Sequence, residues 1–208
     1  MSEIKVNHGE VCTLFSDPLY LSSKPHKLDQ KEYMIIRKEQ DNTEFNTDGN
    51  LLGKDKYLLD KLPLLKKYIQ EQIENYFYEI LKYGKTQHIY ITNSWSNYNK
   101  PKTKNHVHTH PNSVVSGVFY VEGEEAPIEF YSDKQRYLMS LNVTEANLYN
   151  SNRVWFNIIK NHLYLFPSTL VHGVAPNNSN TTRISIAFNT FIKGPTGSDG
   201  AHTRLEIK

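Results

Sequence analysis

A chain of 208 residues and 24.2 kDa has the size of one ordinary domain, and 38% hydrophobic residues suffice for one core, so a single domain over 1–208 is expected. Charged residues at 22%, a mean hydropathy of -0.60 and apolar stretches broken by Lys, Asn, Ser or His exclude a membrane-spanning helix. A net charge of +2, from 24 basic and 22 acidic residues, is too balanced to be the footprint of a dedicated nucleic-acid binder. The single cysteine, Cys12, excludes an internal disulfide and a cysteine-based zinc knuckle, and reads as a small buried hydrophobe. The first thirty residues lack a basic start followed by an apolar block, so a cytoplasmic location is expected.

Residues 1–55 read as a partly extended lead-in, with an edge strand at Val11–Tyr20 interrupted by Pro18 and a turn at Asp48-Gly49-Asn50. From about 60 to 83, Leu62, Leu65, Ile69, Ile73, Tyr76 or Phe77, and Ile80 recur at three- and four-residue steps, which predicts one long helix packed on a sheet. Pro63 suits its first turn and Gly84 its left-handed stop. Beyond Gly84 the period becomes two: Ile89, Ile91, Asn93, Trp95 and Asn97 alternate with Tyr90, Thr92, Ser94, Ser96 and Tyr98 as a long strand. Further strands are predicted at 114–121, 127–131, 154–159, 163–166, 170–174 and 183–191, with an inserted loop over 133–152 and a flexible tail over 193–208. Short strands with no helices between them exclude a parallel α/β sheet and point to an antiparallel sandwich or barrel.

Chemistry concentrates in His106-Val107-His108-Thr109-His110 and in His172. Side chains at i and i+2 of an extended segment face the same way, so two neighbours from this run can converge on one metal ion, with His172 as the third ligand. Arg183 lies eleven residues after His172, and the turn-rich Asn177–Thr182 between them predicts a hairpin that sets 172 opposite 183. Directly opposed side chains lie about 5 Å apart. A guanidinium there, with Ser185 on the same face, can hold the far carboxylate of a dicarboxylate chelated to the metal.

The segments HTHPNSVVSGVFYV, LYLFPSTLVHGVAPN and RISIAFN resemble the 2-oxoglutarate and Fe(II)-dependent oxygenases common in bacteria and marine bacteriophages, in the prolyl-hydroxylase-like superfamily. TLFSDPLY and NSWSN resemble that family's opening segments, so the likeness runs from about residue 12 to 192. It implies a mainly β double-stranded β-helix, or jelly roll, with core residues 87–192 and the long N-terminal helix packed outside. It implies Fe(II) as cofactor, and 2-oxoglutarate and O2 as cosubstrates, with oxidative decarboxylation coupled to hydroxylation of a substrate. Carried over by residue, His108 and His110 match the paired histidines, His172 the distal one, Arg183 and Ser185 the binders of the far carboxylate, and Tyr120 a further donor to 2-oxoglutarate. Trp95 and Asn97 line the first long strand, where packing is the expected role, while Phe166 and Val118 supply a dry wall.

The chain departs from the wider superfamily at one ligand, where a histidine stands in place of the aspartate of His-x-Asp. His106 with His108 is an alternative pairing. A three-histidine cupin dioxygenase without 2-oxoglutarate is a rival reading, but Asn112, Ser113, Val114 and Val115 stand where the cupin glutamate belongs. A non-catalytic jelly-roll binding module is a third. Substrate classes compatible with the resemblance are a peptidyl side chain, a sugar or a nucleotide, and the 133–152 loop is a candidate lid.

Overall fold

A computed structural model describes residues 14–123, 126–132 and 141–208. Cys12, with residues 11–13 of the expected first strand, and residues 133–140 of the expected lid lie outside these; of the rest of that strand, 14–19 belong to no sheet and only Tyr20 is in a strand, and residues 141–152 form neither strand nor helix. Among the described residues no helix is long and apolar enough to cross a membrane.

The lead-in is more structured than its sequence suggests. A two-residue strand β1 (Tyr20–Leu21) is followed by helix α1 (Gln30–Glu39), then by a hairpin of β2 (Thr43–Phe45) and β3 (Leu51–Gly53). Asp29 caps α1, its Oδ1 accepting from Lys31 N at 2.8 Å. The helix lacks a clean apolar period because its buried residues include two acids, Glu32 and Glu39, alongside Ile36. Those acids are hydrogen-bonded: Glu39 accepts from Asp55 N at 3.0 Å, and Glu32 from Leu64 N at 2.7 Å and Leu65 N at 3.2 Å.

The single long helix expected over 60–83 is instead three pieces: a 3-10 turn at Leu58–Lys61, helix α2 (Pro63–Glu74) and a π-helical segment at Asn75–Ile80. Leu65, Ile69 and Ile73 face the sheet as the period requires. The wider winding then lets adjacent Tyr76 and Phe77 both turn inward and leaves Ile80 47% exposed. Lys82, at φ 58, rather than Gly84, takes the left-handed position after the last turn.

The remaining strands are β4 (His88–Asn99), β5 (Asn105–His108), β6 (Val115–Glu122), β7 (Ile128–Tyr131), β8 (Arg153–Phe156), β9 (Leu163–Pro167), β10 (Val171–Val174), β11 (Arg183–Thr196) and β12 (Leu205–Ile207). They form two antiparallel sheets, a major one in the order β1-β9-β6-β11-β4-β3-β2 with β12 added to β11, and a minor one in the order β5-β10-β7-β8. Residues 193–208, expected as a flexible tail, are the end of β11 and a return strand that pairs Gly194 with Ile207.

The period of two gives the major sheet two unlike faces. Ile184, Ile186 and Phe188 of β11, with Phe119, Val121, Leu163 and Leu165, pack against Ile36, Leu65, Ile69 and Ile73 of the helices. On the other face Tyr120, Tyr164 and Phe166 meet Ile128 and Phe130 of the minor sheet. The expected hairpin between 172 and 183 does not form. β10 lies in the minor sheet with His172 opposite His108 and Phe130, whereas β11 lies in the major sheet with Arg183 opposite Asn99. The Asn-rich stretch does turn, but as a crossover between sheets: Asn177 Nδ2 donates to Asn99 O at 2.9 Å and to Thr181 O at 2.8 Å.

Leu62, the residue before α2, offers no side-chain cap, so Glu32 satisfies the first amides of α2 from another helix. Glu32→Ala is expected to lower stability by about 1–2 kcal/mol. Urea unfolding followed by far-UV circular dichroism checks this, as a lower midpoint with an unchanged slope.

Candidate active site

Three imidazoles converge where the two sheets part. His108 ends β5, His110 follows two residues later in a turn fixed by its own N–H donating to Ser168 O at 2.9 Å, and His172 sits on β10 opposite His108. Ring centroids are 5.0 Å apart for 108 and 110, 4.5 Å for 108 and 172, and 5.0 Å for 110 and 172. One ring nitrogen from each lies within 4.8 Å of the other two, a separation that fits a shared metal ion.

Their hydrogen bonds decide which nitrogen is free. His108 Nδ1 meets His106 O and His172 Nδ1 meets Leu170 O, both at 2.8 Å, and a carbonyl only accepts, so both rings carry the proton on Nδ1. His110 Nδ1 meets Asn189 Oδ1 at 2.6 Å. With all three rings in this form the Nε2 lone pairs point at one another, and those of His108 and His110 are 3.1 Å apart. Lone pairs so placed repel unless a cation lies between them. Burial lowers the pKa of each ring, that of His172 from 6.5 to about 3, so the triad is neutral and ready to ligate at neutral pH. Phe166, at 4.6 Å from the His172 ring centroid, supplies much of that dry environment.

His106 is not brought into this cluster. It is exposed, and its Nδ1 and backbone N bond Asp48 Oδ2 at 2.6 Å and 2.9 Å, which ties β5 to the β2–β3 turn.

A cavity of about 350 Å3 extends from the three histidines to Arg183, Ser185 and Tyr120. Arg183 is 1% exposed; Nη2 donates to Asn99 Oδ1 at 2.6 Å and Nη1 to Ala126 O at 3.1 Å, while Nε has no partner. Among the described residues no carboxylate pairs with it. Burial pulls its pKa down, yet an arginine stays protonated, so this is a buried cation awaiting an anion. Ser185 stands opposite Tyr120 on β6 and Asn97 on β4. Among the described residues the Ser185 hydroxyl, the Tyr120 phenol and the Asn97 amide have no hydrogen-bond partner, although all three residues are buried. Burial pushes the Tyr120 pKa up and keeps it a donor.

Several supporting residues escape a reading by motif. Asn99 steers Arg183 and Asn189 holds His110. Gly123, at φ +109, passes so close over the Arg183 stem that a Cβ there would lie 2.6 Å from Arg183 Cγ. The one legible signal is the inner face of β4, where Asn93, Trp95, Asn97 and Asn99 place amides where a plain sandwich core would have aliphatics.

Residues 93–189 match the family model described as "Putative 2OG-Fe(II) oxygenase". That stretch, from within β4 into β11, is that of a 2OG-Fe(II) oxygenase. Solved structures of similar fold include a 2OG-Fe(II) oxygenase family oxidoreductase from Burkholderia pseudomallei, with a TM-score of 0.57 at 10% identity over 83% of each chain. A prolyl-4-hydroxylase from Pseudomonas putida has a TM-score of 0.53 at 12% identity over 84% of this chain and 93% of that one. HygX from Streptomyces hygroscopicus, solved with nickel, 2-oxoglutarate and hygromycin B, has a TM-score of 0.51 at 11% identity over 86% of this chain and 83% of that one. At such identities the likeness is one of fold, a mainly β, jelly-roll type. None of the curated proteins matches the sequence.

Fe(II) and 2-oxoglutarate are thus the cofactor and cosubstrate of this oxygenase, an oxidoreductase. The residues present fit both: three neutral nitrogen donors for a divalent cation, and in the same cavity a buried guanidinium whose Nε lacks a partner, for a carboxylate.

The buried histidines also set a pH dependence for the metal-free oxygenase. Their folded pKa values lie below the ordinary 6.5, so between that value and about 3 the unfolded chain binds more protons than the folded one. Stability is therefore complete above the ordinary histidine value and falls with acid. In chelator the thermal midpoint is expected to drop between about pH 7 and about pH 5, and to drop less in His172→Gln. A flat profile in the parent protein would contradict this.

Proposed function

We propose that His108, His110 and His172 hold the Fe(II) of this oxygenase, and that Arg183, Ser185 and Tyr120 take the far carboxylate and body of 2-oxoglutarate. The carrying observation is the pairing, in one cavity, of three converging imidazoles with a buried guanidinium that pairs with no carboxylate among the described residues. A dicarboxylate joins the two. One carboxylate reaches the metal ligands' end, and the other meets Arg183 with charge-assisted bonds supported by the Ser185 hydroxyl. We read the two facing antiparallel sheets as a double-stranded β-helix with this cavity between them, and the reaction as hydroxylation.

When bound, Fe(II) with 2-oxoglutarate supplies O2 activation: one oxygen atom goes to succinate, formed with loss of CO2, and the other to a substrate C–H bond. The chain's own residues bind, orient and dry the site. Three neutral ligands leave the charge of the centre to be balanced by the dianionic cosubstrate, which favours its capture. Arg183, held by Asn99 and Ala126, is aimed before the cosubstrate arrives, so little ordering is needed on binding. Phe166 and Val118 line the cavity and exclude water from the reacting atoms. Tyr120, kept protonated, donates to an oxygen of the cosubstrate. The cupin alternative leaves Arg183 without a task.

The test is anaerobic visible absorption of purified protein as Fe(II) and then 2-oxoglutarate are added. A broad charge-transfer band that needs both is expected. In Arg183→Ala the 2-oxoglutarate concentration for half-development should rise about 10–100-fold, the equivalent of one charged hydrogen bond or pair. Iron binding without such a band would favour the histidine-only cupin, and no iron binding would favour a binding module.

A further inference from the structure

We propose that Asn189 is a positioning residue for the metal centre, holding His110 in the one tautomer that presents Nε2 to a metal ion. This rests on the three-histidine reading above. His108 and His172 need no such partner. Each donates Nδ1–H to the main-chain carbonyl two residues before it, so the extended backbone itself sets the tautomer. His110 lies beyond the end of β5, and its ring turns away from its own chain. Its Nδ1 finds Asn189 Oδ1, on β11 of the other sheet, at 2.6 Å. It is the one ring of the three whose protonation pattern depends on a side chain.

Two coherent arrangements compete at this point. In the first, Asn189 Oδ1 accepts from His110 Nδ1–H and leaves Nε2 free. In the second, a flipped amide donates to Nδ1, the ring proton moves to Nε2, and that N–H donates to His108 Nε2, which lies 3.1 Å away. The second is a closed hydrogen bond between two intended ligands and blocks both. Ser116 serves the first by donating to the amide oxygen. Its hydroxyl donates to the same Asn189 Oδ1 at 2.8 Å, from a side chain only 1% exposed. Ser116 Oγ in turn lies 2.8 Å from Ser168 Oγ, and Ser168 Oγ 2.7 Å from Ser113 Oγ. Ser168 also takes the His110 backbone N–H on its carbonyl. With the Ser116 proton on the amide oxygen, that oxygen, and with it the lone pair of His110 Nε2, faces the way metal binding requires.

The experiment uses Co(II) as the probe, which binds histidine sites and reports their geometry through its visible bands, without any need for turnover. Asn189→Leu removes the acceptor and Asn189→Asp keeps it. Expected are a loss of Co(II) affinity of about 10–100-fold in Asn189→Leu with altered bands, and near-parent affinity and bands in Asn189→Asp. Far-UV circular dichroism of the metal-free variants controls for folding. A second measurement needs no variant: long-range 1H–15N spectra of the metal-free parent should show His110 with its proton on Nδ1. Co(II) binding in Asn189→Leu equal to the parent, or a His110 proton found on Nε2 in the parent, overturns the proposal while leaving the three-histidine site intact. A parent protein that binds no Co(II) overturns both.

Discussion

The register between β4 and β11 is the constraint on which the rest of the structure depends. Arg183, Ser185 and Asn189 face the cavity because Asn99, Asn97 and Asn93 stand opposite them, while Ile184, Ile186 and Phe188 face the helices. A slip of one residue would exchange the sets, burying a guanidinium under α2 and exposing the core to the cavity. The same strand is paired on its other edge with β6, which delivers Tyr120 opposite Ser185. One ladder therefore carries both the hydrophobic support and the anion-binding groups.

The face turned to the cavity is costly by the ordinary rules of folding. Among the described residues it holds a buried cation with no carboxylate, an unpartnered Arg183 Nε, and hydroxyl and amide groups without partners. Arg183 Nε is a donor kept out of water with nothing to donate to, and the hydroxyl and amide groups face the cavity with their donors unused. The opposite face offsets this with the larger apolar cluster, which the helices seal, and α1 also contributes the Glu32 carboxylate that completes α2. Stability is built on one side of the sheet and reactivity on the other.

The histidine cluster is built in two ways. His108 and His172 face each other across a strand pair of the minor sheet, and each is oriented by a carbonyl of its own strand. His110 instead follows β5 of the minor sheet but is held by the major one, its backbone from the end of β9 through Ser168 and its ring from β11. It is the bridge by which the cavity's two walls are brought to one point.

Much of this was legible in the residues themselves. Alternation marked β4 and most later strands because side chains of a strand must point to opposite faces, and the turn residues between them limited their lengths. His108, His110, His172, Arg183 and Ser185 stood out by residue type and spacing. What the sequence could not reveal was which strands pair across long separations. The 172–183 hairpin was a local inference, and it failed because His172 finds His108 and Phe130 in one sheet while Arg183 finds Asn99 in the other. The helix α1 was hidden because its inward residues are acids whose partners, the amides of Leu64, Leu65 and Asp55, come from elsewhere in the chain. Local chemistry is written in neighbouring residues. Where a buried Glu32, Asn99 or Asn189 sends its hydrogen bonds is decided only when distant segments meet.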